Sequence, residues 1–334
     1  MDYTFTNFAV GSSNQFAHAA ALAVAQTPTA SYNPLLLYGG PGVGKTHLLH
    51  AIAQYIMQHH TTWRVVYLEA EHFMRDLLQA LQHARMPAFQ QHYRQADVLL
   101  VDDVHCMAGR PQTQEAFLHV FDALYAAKKQ IVLASAHAPR ELAPLATRLR
   151  SRLVAGLSAP LEPPELDTRL AILAQKAAAY GILLPPEVAR VIAQHVHQHG
   201  HALEQCFSRI VTYASLSGQP FDSTLAAQVF DQMAAEQAHA ITVSRIQQAV
   251  ATYFDVTTSA LRSKRRQQAL VFPRQIAMFL CRELTEASLG DIGKQFGGRK
   301  YTTVLHAANT ILRTEETDDR VARVLREVRQ RLKA

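Results

Sequence analysis

The sequence predicts an α/β fold, a parallel sheet with a small helical lid domain, followed by an all-α C-terminal domain. Three observations predict it. Over roughly the first 155 residues, short apolar runs alternate with amphipathic stretches. A glycine-rich phosphate-loop motif joins the first of these runs to a helix. Every segment beyond Leu166 carries helical periodicity and none reads as a strand.

The apolar runs are Leu35 to Tyr38, Val65 to Leu68, Val98 to Val101 and Ile131 to Ala134. None alternates with polar residues, as expected of parallel strands covered on both faces. Between them, stretches such as HFMRDLLQALQHA place apolar residues at helical spacing. The PLEPPEL segment at Pro160 to Leu166 ends this pattern. The expected domains are therefore 1–158, an α/β nucleotide-binding domain; 159–235, a helical lid; and 236–334, an all-α domain entered through a connecting helix.

The first run leads into Gly39-Gly40-Pro41-Gly42-Val43-Gly44-Lys45-Thr46 and then an apolar helix. Strand, loop and helix together form the setting this motif needs. Its glycines let backbone N–H groups approach phosphate oxygens, and the helix N-terminus adds unpaired donors. Gly42, Val43, Gly44, Lys45 and Thr46 are the expected nucleotide-binding set. Lys45 suits the β- and γ-phosphates and the Thr46 hydroxyl suits Mg²⁺. The run Val98 to Val101 ends in Asp102 and Asp103. Asp102 is expected to share the Mg²⁺ with Thr46, and Asp103 to orient or deprotonate an attacking water. ATP and Mg²⁺ are the cofactors this predicts. Arg148, Arg150 and Arg152 cluster near the domain end; on spacing alone they read either as a surface patch or as an inter-subunit finger.

The net charge of +6 over 334 residues is uneven. From Ala240 onwards 17 lysines and arginines face 9 acidic residues, a net of +8, leaving −2 for the rest. A near-neutral body with a basic end is the outline of a protein that meets a polyanion. No apolar run is long enough to span a bilayer, and MDYTFTNF lacks the basic start of a signal peptide. A cytoplasmic, nucleoid-associated location is expected, with Cys106, Cys206 and Cys281 as free thiols. His195 and His199 have the spacing of a helical metal pair, but 17 scattered histidines make composition the simpler account.

In the basic end, Ser288 and Asp291 resemble a capping box opening a short helix. Gly297 and Gly298 supply a turn, and a second helix follows from about Lys300. This is a helix-turn-helix outline, with double-stranded DNA as the expected partner. Arg299, Lys300, Tyr301, Thr302, Thr303 and His306 are the candidate DNA contacts, while Val304, Leu305 and Ala308 face the core. Upstream, Lys264, Arg265 and Arg266, with Arg274 beyond them, suit backbone or minor-groove contact before a helix starting near Pro273.

Across nearly its whole length the chain resembles the bacterial DnaA family of replication initiators, AAA+ ATPases with a C-terminal helix-turn-helix domain. The likeness rests on YTFTNFAVGSSNQFAHAAALAVA, GGPGVGKTHLLHAI, ADVLLVDDV, RLRSRL, EPPELDTRLAIL, SKRR, PRQIAMFLCREL and GGRKYTTVLHA. The last string is the most specific. The resemblance implies a P-loop AAA+ sheet, ATP-dependent self-association on origin-type DNA boxes and duplex opening. It also implies Phe8, Val10 and Asn14 at the adenine, Arg152 as the inter-subunit finger with Arg148 its companion, and acidic phospholipids as a further partner class.

Several positions depart from the family. The chain starts directly at the ATPase core, so helicase contact through an N-terminal domain is not expected. The sensor strand ends in Ser135-Ala136 where the family has Ser-Asp, and His201 replaces the sensor arginine of the lid. Phe272 replaces an arginine of the minor groove, and Lys300-Tyr301 replace Asp-His. Gln79 and Gln112 replace basic residues of the central domain. Two readings follow: an ATP-switched initiator, or an accessory DNA-binding regulator in which ATP is structural and hydrolysis weak. A helicase-loading ATPase without specific duplex binding is disfavoured by GGRKYTTVLHA.

Overall fold

The computed structural model describes residues 3–29, 32–197, 200–239, 241–263, 268–315 and 317–333, with backbone alone for 236–239, 268 and 333. Two compact units divide at Val229 and Phe230, within the helix Ser223–His239.

The first unit is built on five parallel strands: β1 (Leu35–Tyr38), β2 (Val65–Glu69), β3 (Val98–Asp102), β4 (Gln130–Ser135) and β5 (Leu157–Pro160). Their order across the sheet is β2-β3-β4-β1-β5. Four of them are the apolar runs of the sequence. In β3, Val98 and Leu100 join the core with Leu48, Leu49 and Ile52, while Leu99 and Val101 join Phe73, Phe117 and Phe121 on the other face. Both faces of that strand are therefore apolar, and the absence of polar alternation follows directly.

β5 corrects the sequence reading, which ended the sheet at four strands. LSAP is only four residues long, carries a proline and has one fully buried residue. It is a strand because it pairs with β1, Leu35 opposite Leu157. Pro160 is tolerated because the strand lies at the sheet edge, where a missing N–H costs no ladder bond.

The helices Leu166–Tyr180, Pro186–His195 and Gly200–Ser217 follow the sheet within the same unit. Leu173, Ala177, Val188, Ile192, Leu203 and Phe207 are buried among them.

The second unit is all helical: Val243–Tyr253, Thr258–Arg262, Gln268–Leu284, Leu289–Gln295, Tyr301–Glu315 and Asp319–Lys333. Its core gathers Ile246, Leu261, Ile276, Leu280, Phe296, Val304, Ala308 and Leu325. The helix expected to begin at Pro273 runs from Gln268, with Pro273 inside it. The proline removes one backbone donor, yet Leu270 before it and Ile276 and Ala277 after it are buried, and Phe272 packs against the core. Leu305 is only half-buried, and Ala307 takes the core position expected of it.

Candidate functional site

The carboxyl ends of β1, β3 and β4 converge on one edge of the sheet, where ligands of open α/β folds bind. Gly39 leaves β1 with its N–H on the Ser135 carbonyl at 3.2 Å, which fixes the phosphate loop against β4. The loop enters the helix Lys45–His59 through Gly44 at φ 106°. A side chain there would be strained, and its Cβ would stand 2.8 Å from the Phe8 ring.

Lys45 is 6% exposed, and its Nζ donates to the carbonyls of Gly39 and Gly40 at 2.8 and 2.7 Å. Burial draws its pKa below the ordinary lysine range, and the Asp103 and Asp102 carboxylates oppose that shift. The Thr46 hydroxyl donates to Asp102 Oδ2 at 2.6 Å. A hydroxyl and a carboxylate meeting this closely form an all-oxygen set, the donor chemistry that fits Mg²⁺. Asp103 follows at φ 51°, and its N–H donates to Asp102 Oδ1 at 2.8 Å. The turn separates the two carboxylates: Asp102 is buried, whereas the Asp103 side chain is half exposed. Burial, and then the Asp102 charge, push the Asp103 carboxyl above its usual range.

A cavity of about 500 Å³ opens over the loop. Its lining includes Gly42 to His47, the N-terminal residues Tyr3, Asn7 and Phe8, and Lys176, His201 and Glu204 from the lid helices. Asn14 also lines it, 6% exposed, with its Oδ1 on the Gly11 N–H at 2.9 Å and its Nδ2 on the Ala9 carbonyl at 2.9 Å. Asn14 thus holds the loop that carries Val10, and Val10 itself is 48% exposed and outside the lining.

His201 donates its backbone N–H to the Gly42 carbonyl at 3.4 Å, and its Nε2 lies 2.9 Å from Gln205 Nε2. Lys176 Nζ pairs with Glu204 Oε2 at 2.7 Å. Sequence reasoning missed Tyr3, His47, Lys176 and Glu204. Lys176 belongs to no motif, and Glu204, which ends the Leu-Glu pair after His201, meets it only through helix packing. At the sensor strand, the Ala136 N–H donates to His105 Nδ1 at 3.3 Å, a contact the sequence did not signal. Arg152, on the helix Thr147–Leu153, places its Nε 2.8 Å from Asp122 Oδ1 on the surface of its own chain.

In the second unit Ser288 caps the helix Leu289–Gln295, its Oγ accepting from the Asp291 N–H at 3.1 Å. The Asp291 carboxylate closes the contact by accepting from the Ser288 hydroxyl at 2.7 Å. The tight turn needs Gly293, whose Cβ would meet the Arg299 carbonyl oxygen at 2.2 Å. Gly297 and Gly298 follow at φ 83° and 72°. Lys300, Tyr301, Thr302, Thr303 and His306 are all exposed around the start of the helix Tyr301–Glu315. Arg299 is half-buried and donates from Nη2 to the Ser263 carbonyl at 3.0 Å. Arg274 differs from these, being 5% exposed, with donors on the carbonyls of Leu261, Ala260 and Ser263. Burial and the nearby Arg299 charge lower its pKa. Phe272 packs edge-on against Phe254. Lys264, Arg265, Arg266 and His199 lie outside the described residues.

Residues 1–160 match the family model of the bacterial DnaA ATPase domain, and residues 243–311 that of the bacterial DnaA helix-turn-helix. The chain is 44% identical over 333 residues to the chromosomal replication initiator protein DnaA of Symbiobacterium thermophilum, covering 99% of this chain and 73% of that protein. The chain belongs to the DnaA family. Domain III of the DnaA of Thermotoga maritima superposes with a TM-score of 0.67 at 37% identity, covering 69% of this chain and 96% of that one. A DnaA structure bound to AMPPCP and single-stranded DNA superposes with a TM-score of 0.60 at 27% identity, covering 99% and 98%. This member is thus a DnaA initiator homologue that carries the family's ATPase and helix-turn-helix domains. Among the described residues no helix is long and apolar enough to cross a membrane.

Proposed function

We propose that this chain is an ATP-switched initiator that binds double-stranded DNA sites, self-associates on them and promotes duplex opening. The observation that carries the reading is the convergence of Lys45, Thr46 and Asp102 under one cavity, beside a half-exposed Asp103. Lys45 exchanges its two carbonyl partners for the β- and γ-phosphates. Thr46 and Asp102 hold Mg²⁺, which when bound neutralises charge on the phosphate oxygens. Asp103 orients the attacking water and receives its proton. Arg152 leaves Asp122 to reach the γ-phosphate of a neighbouring copy. Lys300, Tyr301, Thr302, Thr303 and His306 meet the major groove, and Lys264, Arg265 and Arg266 the DNA backbone. Arg274 contributes by holding the carbonyls of Ala260, Leu261 and Ser263, and Arg299 by holding that of Ser263.

Assembly of the full chain on duplex DNA carrying origin-type boxes, measured with ATP and with ADP, tests the switch. ATP should support cooperative assembly and strand opening, and ADP should not. Identical assembly with both nucleotides would favour the second reading, an accessory regulator with structural ATP. Ala136 and His201 support that alternative, because neither supplies a fixed charge near the γ-phosphate.

A further inference from the structure

We propose that His47 is a positioning residue that ties the N-terminal strap to the phosphate loop and thereby sets the affinity for the nucleotide base. The inference rests on the reading of the cavity as the nucleotide site.

Residues 4 to 7 form a self-bonded turn. The Thr4 N–H donates to Asn7 Oδ1 at 2.8 Å, and the Asn7 N–H donates to Thr4 Oγ1 at 3.2 Å. This turn lies on the helix Lys45–His59 through a hydrogen bond from His47 and several ring contacts. His47 Nε2 is 2.9 Å from the Thr4 carbonyl oxygen. The carbonyl can only accept, so the ring carries its proton on Nε2 and donates. The Tyr3 and Phe8 rings stand 4.8 and 5.1 Å from the His47 ring, and Phe8 also stacks on His18 at 5.7 Å.

The strap supplies Tyr3, Asn7 and Phe8 to the cavity wall, while Gly42 to Thr46 supply the phosphate floor. A nucleotide whose phosphates occupy the floor extends into the rest of this cavity, and the strap forms part of its wall. His47 follows Thr46 directly, so one helical turn carries both the phosphate-site hydroxyl and the anchor of the base wall. Removing the imidazole leaves the Thr4 carbonyl without this donor and takes away the ring against which Tyr3 and Phe8 pack. The phosphate floor keeps Lys45, Thr46 and the Gly39 contact to Ser135, none of which involves His47.

The test compares Mg²⁺-ATP with Mg²⁺-tripolyphosphate, which has the phosphates and no base, by calorimetric titration of the full chain. His47→Ala should bind ATP about tenfold more weakly, the effect of one lost hydrogen bond at a packed site. Its tripolyphosphate affinity should stay within about twofold, since that change is under half a kcal/mol. His47→Gln, which carries a donor of similar reach, should recover most of the ATP affinity. Unchanged ATP binding in His47→Ala, an equal loss for both probes, or no recovery in His47→Gln would each overturn the proposal. Wild-type protein that bound neither probe would instead overturn the nucleotide reading beneath it.

Discussion

An ammonium group taken out of water is stable only where acceptors replace its hydration, and two backbone carbonyls do so for Lys45. Those carbonyls belong to the loop itself, so the side chain rests in place and meets an incoming phosphate without a rotamer search. Lys45→Ala should therefore fold normally and lose ATP affinity by about 100-fold or more, the effect of losing charge-assisted bonds to phosphate. Asp103→Asn should separate the functions in the other direction. Equilibrium binding of ATP should change by less than about threefold, while single-turnover hydrolysis falls by about 100-fold or more through loss of the proton acceptor. Asp103→Asn protein that hydrolyses at the wild-type rate would remove Asp103 from the chemistry. Away from the cavity, Asp97 illustrates a structural carboxylate. Burial pushes its pKa up, but the Lys129 ammonium at 2.6 Å and the Arg64 N–H at 2.8 Å outweigh it, and the net shift is downward. A depressed carboxylate pKa stabilises the fold above the ordinary carboxylate range, and that contribution is lost as pH falls through the depressed value. Asp97→Asn should accordingly lower the denaturation midpoint at pH 7 and make little difference near pH 2. An equal effect at both pH values would mean that the charge of Asp97 contributes nothing.

At the level of elements, the short helix Leu289–Gln295 depends most on a single side chain. Seven residues cannot form a stable helix from propensity alone, so the Ser288 cap and the core contacts of Ile292 and Phe296 must hold it. Ser288→Ala should destabilise the second unit by about 1 kcal/mol, read from the later or earlier transition of a urea titration, with the first unit unaffected. This cap was legible in the sequence because its signal is local, two polar residues three apart. The phosphate loop and β1 to β4 were legible for the same reason: a motif with both flanks correct, and apolar runs that need no partner to be recognised. β5 was not, since LSAP becomes a strand only through pairing with β1. The helix around Pro273 was misplaced because proline usually marks a first turn, whereas here packing of Leu270 and Phe272 extends the helix upstream. The Thr4–His47 contact and the Lys176–Glu204 pair were illegible because they arise from approaches between distant segments that no spacing encodes. Arg274 reads as a DNA contact by charge alone, and its three carbonyl partners appear only when the 260–263 turn folds onto it.

For the whole molecule, the geometry around Arg152 bears on assembly. Within one chain its Nε is paired with Asp122, and both side chains are partly exposed, so the pair is worth little and opens readily. A finger from one copy entering the cavity of the next defines a heterologous, head-to-tail contact, in which each copy offers a site on one side and an arginine on the other. Such an arrangement makes the two functions complementable. Arg152→Ala copies keep an intact phosphate loop and lack the finger; Lys45→Ala copies keep the finger and lack the loop. Each variant alone, assembled on duplex DNA, should hydrolyse ATP well below the wild-type rate, because one finger contributes several kcal/mol to the transition state. Mixed in equal amounts they should recover part of the rate, since a junction with an Arg152→Ala copy as the site and a Lys45→Ala copy as the donor has every group. The recovery should require DNA and disappear on dilution below the assembly concentration. A mixture no more active than the mean of its components would place the action of Arg152 within its own chain, and the Asp122 pair would then be its working position.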